Sequence, residues 1–271
     1  MPPAEPPILH LFAPADRPDR FDKALRAGAD AVIFDLEDAV APERKALARD
    51  ALAAAAEIIA AAPCGVVLRV NAAATPAHAA DCALAAGLKL SAVLLPKAES
   101  AEAVNAVRAR TGHPVLALIE SARGLAACRA IAGVAERLVF GSIDFAADLG
   151  CAHTRDALIA ARLELVLASR LAGLAAPVDG VTAEIGDPAQ ARADAAYAAS
   201  LGFGGKLLVH PSQIAPAREG FAPSAQELAW AERVLATPGG ATRLAGEMID
   251  PPVRLRAEQI RRRASANAHQ E

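Results

Sequence analysis

Eight short apolar runs recur through the first two hundred or so residues, and a stretch of helix formers follows nearly every one. They read ILHLFAP, AVIFDLE, GVVLRVN, AVLLPK, VLALIE, RLVFGS, PVDGVT and GKLLVH. Most are continuous rather than alternating, the pattern of parallel strands buried on both faces. The intervening stretches, such as PERKALARDALAAAAEIIAAA, carry apolar residues at helical spacing. Gly and Pro mark the joints, as in RAGAD, AAPCG, TGHP and LAAPVDG. A strictly alternating series of this length predicts an α/β chain closed into a (β/α)8 TIM barrel over residues 1–220. An open doubly wound sheet fits less well, because FAPADRPDR after the first run cannot serve as a Gly-rich dinucleotide turn.

Past the barrel the character changes. FAPSAQELAWAERVLA reads as helix and holds the only Trp, TPGGATRLAGEM reads as a loop, and IDPPVRLRAEQIRRRA as a closing helix. Residues 221–271 are thus expected to form a C-terminal helical extension, long enough to lid the barrel mouth or reach a neighbouring subunit.

Hydrophobic residues make up 54% of the chain and aromatic ones only 3%, so the core must be built from Ala, Val, Leu and Ile. That composition disfavours disorder. No apolar run reaches the roughly 18 residues a bilayer span needs, and even the Ala-rich segment 51–62 contains Glu57. MPPAEPP lacks both the basic start and the apolar core of a signal peptide, so a soluble, cytoplasmic protein is expected. The net charge of −3 argues against a nucleic-acid partner. Cys64, Cys82, Cys128 and Cys151 are scattered and read as free thiols rather than zinc ligands or disulfides.

In a barrel the C-terminal ends of the strands line the active site. Reading them off gives Asp35, Glu37 and Asp38 after the second strand, Arg69 and Asn71 after the third, and Lys97 after the fourth. Glu120 ends the fifth, Asp144 follows the sixth, Asp179 lies in the seventh and His210 ends the eighth. Glu120 and Asp144, on neighbouring strands spaced by about 5 Å, would repel unless a cation lay between them. An all-oxygen site with room for water suits Mg²⁺ or Mn²⁺. Each acid could also serve as a helix cap, Asp144 before FAADLG being well placed. Arg69 could bridge Glu37 or Asp38, or donate to a carboxylate or enolate oxygen. Lys97 and Glu99 read as an ion pair, and His210 as either a packed or a catalytic histidine.

The segments ADAVIFDLEDAVAPERKALAR, LRVN, LLPKAES, ALIESARGL, FGSIDFAADLG, PVDGVT and LGFGGKLLVHPSQI occur in an order that resembles the citrate lyase β-subunit-like family. These are acyl-CoA carbon–carbon lyases related to malyl-CoA lyase, within the HpcH/HpaI aldolase and phosphoenolpyruvate/pyruvate barrel superfamily. The resemblance spans nearly the whole chain, GEMIDPPV included. It implies a Mg²⁺-dependent enzyme, with Mn²⁺ as the alternative ion, acting on a CoA thioester and a 2-oxo acid. It makes Glu120 and Asp144 the metal ligands, and Glu37 and Asp38 the holders of metal-bound water. Arg69 would grip the thioester oxygen, and Arg17, Arg20 and Lys23 the CoA phosphates. Ser142 and Ile143 would lie against the 2-oxo acid, and Asp250 would act as base from a lid, often onto the next subunit of a homotrimer or hexamer. Ile8 and Leu9 stand where many members carry Arg-Ser, which removes a cation expected near the site.

Two other readings stay open. One is a metal-dependent pyruvate-type aldolase acting on a CoA-free hydroxy-oxo acid, though the DLED-AVAP segment lacks the early histidine such aldolases use and His10 is poorly placed. The other is a non-catalytic subunit of a lyase complex, which would have no need of Glu120, Asp144, Arg69 and Asp250 together.

Overall fold

A computed structural model describes residues 6–238, 242–244 and 247–268. The eight apolar runs form eight parallel strands: β1 (Leu9–Pro14), β2 (Ala31–Asp35), β3 (Gly65–Arg69), β4 (Ala92–Leu95), β5 (Val115–Ile119), β6 (Arg137–Phe140), β7 (Val178–Asp179) and β8 (Gly205–Leu208). They pair in chain order, and β1 closes the ring by pairing with both β2 and β8. The expected TIM barrel is therefore what the chain adopts.

Alternate residues of each strand serve two cores, which is why the runs are apolar throughout. Ile33, Val67, Leu94, Leu118, Val139, Val178 and Leu207 fill the barrel interior. Val32, Leu68, Val93, Ala117, Leu138 and Leu208 face the surrounding helices. Those helices are α1 (Phe21–Leu25), α2 (Lys45–Ala54), α3 (Ala56–Ala60), α4 (His78–Gly87), α5 (Ala101–Thr111), α6 (Ala122–Ala132), α7 (Ser142–Leu149), α8 (Arg155–Leu171), α9 (Pro188–Leu201) and α10 (Ile214–Phe221). Ser100, Ser121, Thr154 and Asp187 accept from first-turn amides and so fix the starts of α5, α6, α8 and α9. Each such cap contributes about 1 kcal/mol.

The scarcity of aromatic residues has a packing consequence. The buried face of α9 consists of Ala191, Ala195 and Ala198. Gly220 of α10 comes so near that a Cβ there would stand 2.6 Å from Ala195 Cβ. Small side chains let the helices pack backbone to backbone.

At the bottom of the barrel, Asp30 accepts from the amides of Ile8 and Leu9 at 2.9 and 2.8 Å and pairs with Arg218 at 2.8 Å. Ile8 and Leu9 thus lie at the end opposite the strand C-termini, and the expected loss of a cation near the active site does not occur there. His10 faces the same end; burial, with Arg137 nearby, lowers its pKa to about 3, so it is a neutral interior group.

Beyond Ala222, α11 (Ala225–Ala236), the antiparallel strands β9 (Thr242–Leu244) and β10 (Glu247–Ile249), and α12 (Pro251–Ala268) make up the C-terminal segment, in which α12 packs on α11 and also touches α10. It has its own small core of Ala231, Val234, Ile249, Ala257 and Ile260, with Trp230 packed against it. Ser224 and Glu227 cap α11 reciprocally. The four cysteines are free. Among the described residues no helix is long and apolar enough to cross a membrane.

Candidate active site

The interior-facing parity that packs the barrel carries on past the strand ends and turns polar. Ile33 is followed two residues on by Asp35, Val67 by Arg69 and Leu118 by Glu120. Asp35 and Arg69 are register partners across β2 and β3. Arg69 Nε and Nη2 donate to the two Asp35 oxygens at 2.7 Å each, and Nη1 stands 3.1 Å from Glu37 and 3.6 Å from Asp38. The Phe12 ring lies 4.8 Å from the guanidinium. Burial alone would favour a neutral Arg69, but the Asp35 hydrogen bonds and the neighbouring acids outweigh it and keep the side chain charged. Asp35 is itself anchored by the amides of Glu37 at 2.8 Å and Ala39 at 3.0 Å.

Glu120 is held more sparingly. Its Oε1 accepts from the Lys97 amide at 2.7 Å, while its buried Oε2 has no hydrogen-bond partner. Lys97 has φ +48°, the one positive value at a non-glycine residue among those described. That unfavourable conformation accompanies the aim of its N–H at the carboxylate. The Lys97 ammonium pairs instead with Glu37 at 2.9 Å. Burial, then the charges of Glu37 and Asp144, push the Glu120 carboxyl up to about 8. Burial raises Glu37 as well, against the pull of Arg69 and Lys97. Gly141, directly after β6, makes room for the acid, since a Cβ there would lie 2.6 Å from Glu120 Oε2.

Phe12, Asp38, Arg69, Glu120, Ser142, Ile143 and Asp144 line one cavity of 410 Å³ at the strand C-termini, closed by Leu118, Val181, Leu207 and Val209. Asp144 is not at a strand end and does not cap a helix. It sits in the first turn of α7, whose cap position is Gly141 and has no side-chain bond. Glu37 stands behind the cavity between Arg69 and Lys97. Arg20 and Lys23 line an adjoining cavity of 310 Å³ that shares Phe12, Pro14 and Val209 with the first. Arg17 is outside both and pairs with Asp19 at 2.7 Å. Asp250 is outside both as well, capping α12 through the Val253 amide at 3.1 Å.

Several expectations need correcting. Lys97 does not pair with Glu99, which accepts from Ser121 Oγ at 2.8 Å and lies 3.7 Å from Arg123. His210 is not packed: it is exposed, accepts from the Ser212 amide in a capping box, and lines the cavity that also holds Arg20 and Lys23. Asn71 is buried under the rim, bonded to Asp81 and the Leu36 carbonyl. Asp179 faces the helices and pairs with Arg162 at 2.9 Å. Sequence reasoning undervalued Asp35, whose strand parity matches that of Arg69, and missed Phe12 and the Lys97 amide.

The residues present suit a hard divalent cation. Four carboxylates line the cavity, Asp35 being taken up by Arg69, and of the others Glu120 has a buried oxygen with no donor. Among the described residues no three His, Cys, Asp or Glu side chains converge as a ready-made cage. An ion that keeps several waters and leaves room for substrate oxygens, as Mg²⁺ does, matches that sparse donor set.

A closed β/α barrel with a carboxylate pair and a clamped arginine at its C-terminal mouth defines a metal-dependent class of barrel enzyme. The chain belongs to the HpcH/HpaI aldolase/citrate lyase family, which matches residues 9–211. It is 40% identical over 267 residues to a citrate lyase subunit beta-like protein of Mycobacterium tuberculosis, covering 94% of each chain. It is 34% identical over 307 residues to the L-malyl-CoA/beta-methylmalyl-CoA lyase of Cereibacter sphaeroides, covering 97% of this chain and 96% of that one. Among solved structures, it is similar to protein CitE of Mycobacterium tuberculosis in complex with magnesium, acetoacetate and coenzyme A. That likeness has a TM-score of 0.85 at 38% identity and covers 97% of this chain and 99% of the other.

Proposed function

We propose that the chain is a Mg²⁺-dependent acyl-CoA carbon–carbon lyase. In this reading a 3-hydroxyacyl-CoA such as malyl-, citramalyl- or citryl-CoA is cleaved to an acyl-CoA and a 2-oxo acid, or formed from them. Thioester hydrolysis at the same site is the related outcome. The observation that carries the reading is the donorless Oε2 of buried Glu120, in one cavity with Asp144 and Arg69.

A bound Mg²⁺ supplies positive charge where the 2-oxo acid and enolate oxygens carry negative charge. Glu120 and Asp144 hold it, and Glu37 and Asp38 add acceptors for water around it. Arg69, locked by Asp35, donates to the thioester oxygen as that atom gains enolate charge. The N–H groups of Ser142 and Ile143, at the start of α7, receive the 2-oxo acid carboxylate. Leu118, Val181, Leu207 and Val209 exclude water from the enolate. Arg20 and Lys23 in the adjoining cavity, with Arg17 at its approach, receive the CoA phosphates.

Asp250 is assigned the base, taking the hydroxyl proton in cleavage and a proton of the acyl-CoA in condensation. In this reading the C-terminal extension lids the mouth of a neighbouring copy in a homotrimer or hexamer, which is supported by the absence of Asp250 from the lining of its own mouth cavity. Asp250→Ala is expected to lower turnover about a hundredfold or more with Mg²⁺ affinity unchanged. Mixing it with a second inactive variant, Glu120→Gln, should restore part of the activity through subunits that pair one intact mouth with one intact base. Full-rate activity in Asp250→Ala would exclude the lid base.

The function is tested by incubating the protein with Mg²⁺ and malyl-, citramalyl-, citryl- or methylmalyl-CoA, and detecting free 2-oxo acid and CoA thioester. At least one thioester is expected to turn over, and EDTA should stop it. Turnover only of CoA-free hydroxy-oxo acids would favour the aldolase reading. Turnover of nothing in either set would leave the non-catalytic subunit.

A further inference from the structure

Beside the mouth a second cavity of 310 Å³ opens between α8 and α9, divided from the first by Val181, which lines both. Its floor is charged where the outer wall of the barrel is otherwise apolar. Lys206 of β8, Asp179 of β7 and Arg162 of α8 are all buried there. Arg162 Nε donates to Asp179 Oδ1 at 2.9 Å. Lys206 Nζ lies 3.8 Å from Asp179 Oδ2 and donates to the Gly180 carbonyl at 2.6 Å. Two buried cations therefore share one carboxylate.

Arg155 and Asp194 neutralise each other at 2.9 Å. The remaining acid of the lining, Glu184, balances that excess only from the exposed rim, where water screens it, and not at the buried floor. It turns its carboxylate back to the Gly186 amide at 2.9 Å. Meanwhile Nη1 of Arg162 is buried without a hydrogen-bond partner, and the Tyr197 ring stands 5.7 Å from the guanidinium. A buried positive excess with an unused donor is costly unless an anion completes it.

We propose that this crevice is a binding site for a small carboxylate-bearing molecule, gripped by Arg162 with Lys206 behind it. The excess of a single charge suits a carboxylate, and Asp179 and Asp194 close by would repel a phosphate dianion. A planar guanidinium matches the carboxylate fork. The volume of 310 Å³ admits on the order of ten water-sized groups at ~30 Å³ each, enough for a short-chain acid. A polar link leads from here to the mouth: His153 lines the crevice, and its Nε2 lies 3.0 Å from Ser142 Oγ, which lines the catalytic cavity. The proposal is independent of the lyase reading.

Tyr197 is the chain's single tyrosine and lines the crevice, so it reports on this cavity alone. The full-length protein labelled with 3-fluorotyrosine would be titrated by ¹⁹F NMR in EDTA, without CoA, at constant ionic strength. Potassium acetate, inorganic phosphate and potassium chloride are the probes. Acetate is expected to shift the signal saturably, phosphate more weakly and chloride not at all. Arg162→Gln should weaken acetate binding about tenfold or more, the loss of a charge-assisted hydrogen bond. Ala183→Trp, at an exposed lining position, should do the same by filling the opening, and it carries the test if Arg162→Gln fails to fold. A shift that acetate and chloride produce alike, a preference for phosphate, or unchanged acetate binding in Ala183→Trp would each overturn the proposal.

Discussion

Replacing Glu120 with glutamine is expected to remove divalent-cation binding and to lower turnover about a thousandfold, the scale of a few kcal/mol of lost charge stabilisation. The same change should make the metal-free protein more stable above neutral pH. Burial, Glu37 and Asp144 raise the folded carboxyl from its ordinary 4.5 to about 8. Between those values the folded state keeps a proton that the unfolded state has lost, so stability present below pH 4.5 is lost as pH rises toward 8. At about 1.4 kcal/mol per unit, the loss is on the order of a few kcal/mol. Urea unfolding in EDTA at pH 5.5 and pH 8 should therefore show the parent weakening while Glu120→Gln stays level, apart from contributions common to both. Added Mg²⁺ should restore the parent at pH 8 and leave the variant unmoved. Normal turnover in the variant, or a Mg²⁺ response equal to the parent's, would remove Glu120 from the metal site.

Arg69→Met is expected to cost about 3–5 kcal/mol of stability, because breaking a buried pair leaves an uncompensated charge behind. Asp35 is 1% exposed and would keep only its two amide donors, while Glu37 would lose its nearest guanidinium. Turnover per folded molecule should also fall, since no other cation stands among the residues lining that cavity. Asp35→Asn separates the two effects: it leaves Arg69 charged but unclamped, so it should unfold less readily than Arg69→Met and still turn over slowly. The double variant Arg69→Met/Asp35→Asn should lose less than the sum of the singles, as expected for residues in direct contact. A loss within about 0.5 kcal/mol for Arg69→Met, the range of ordinary surface changes, would contradict the clamp.

The barrel was legible because its signal is local. Each strand is a short apolar run on its own, and eight in alternation leave few other ways to bury them. The mouth was legible for a related reason, since parity carries the interior face of β5 straight to Glu120 and that of β3 to Arg69. Partnerships were harder. Arg69 had three acids within sequence reach, and only the register of β2 against β3 selects Asp35. Lys97 was assigned to Glu99 because proximity in sequence was the sole guide, whereas its left-handed backbone sends the amide to Glu120 and the ammonium to Glu37. Ile8 and Leu9 drew attention as a departure near a strand, but the sequence alone did not reveal that they lie at the wrong end to touch substrate. The charged crevice behind Val181 was invisible for the same reason: Asp179, Arg162 and Lys206 come from three separate elements.

The methyl-sized gap at Gly141 has a consequence for how such barrels diverge. Glu120 occupies the space that a side chain at position 141 would claim, so the two positions are free to vary only together. A lineage that acquires alanine or anything larger at 141 must first retract or surrender the acid. Gly141→Ala is therefore expected to displace Glu120 from its place in the mouth even though it adds only a methyl group.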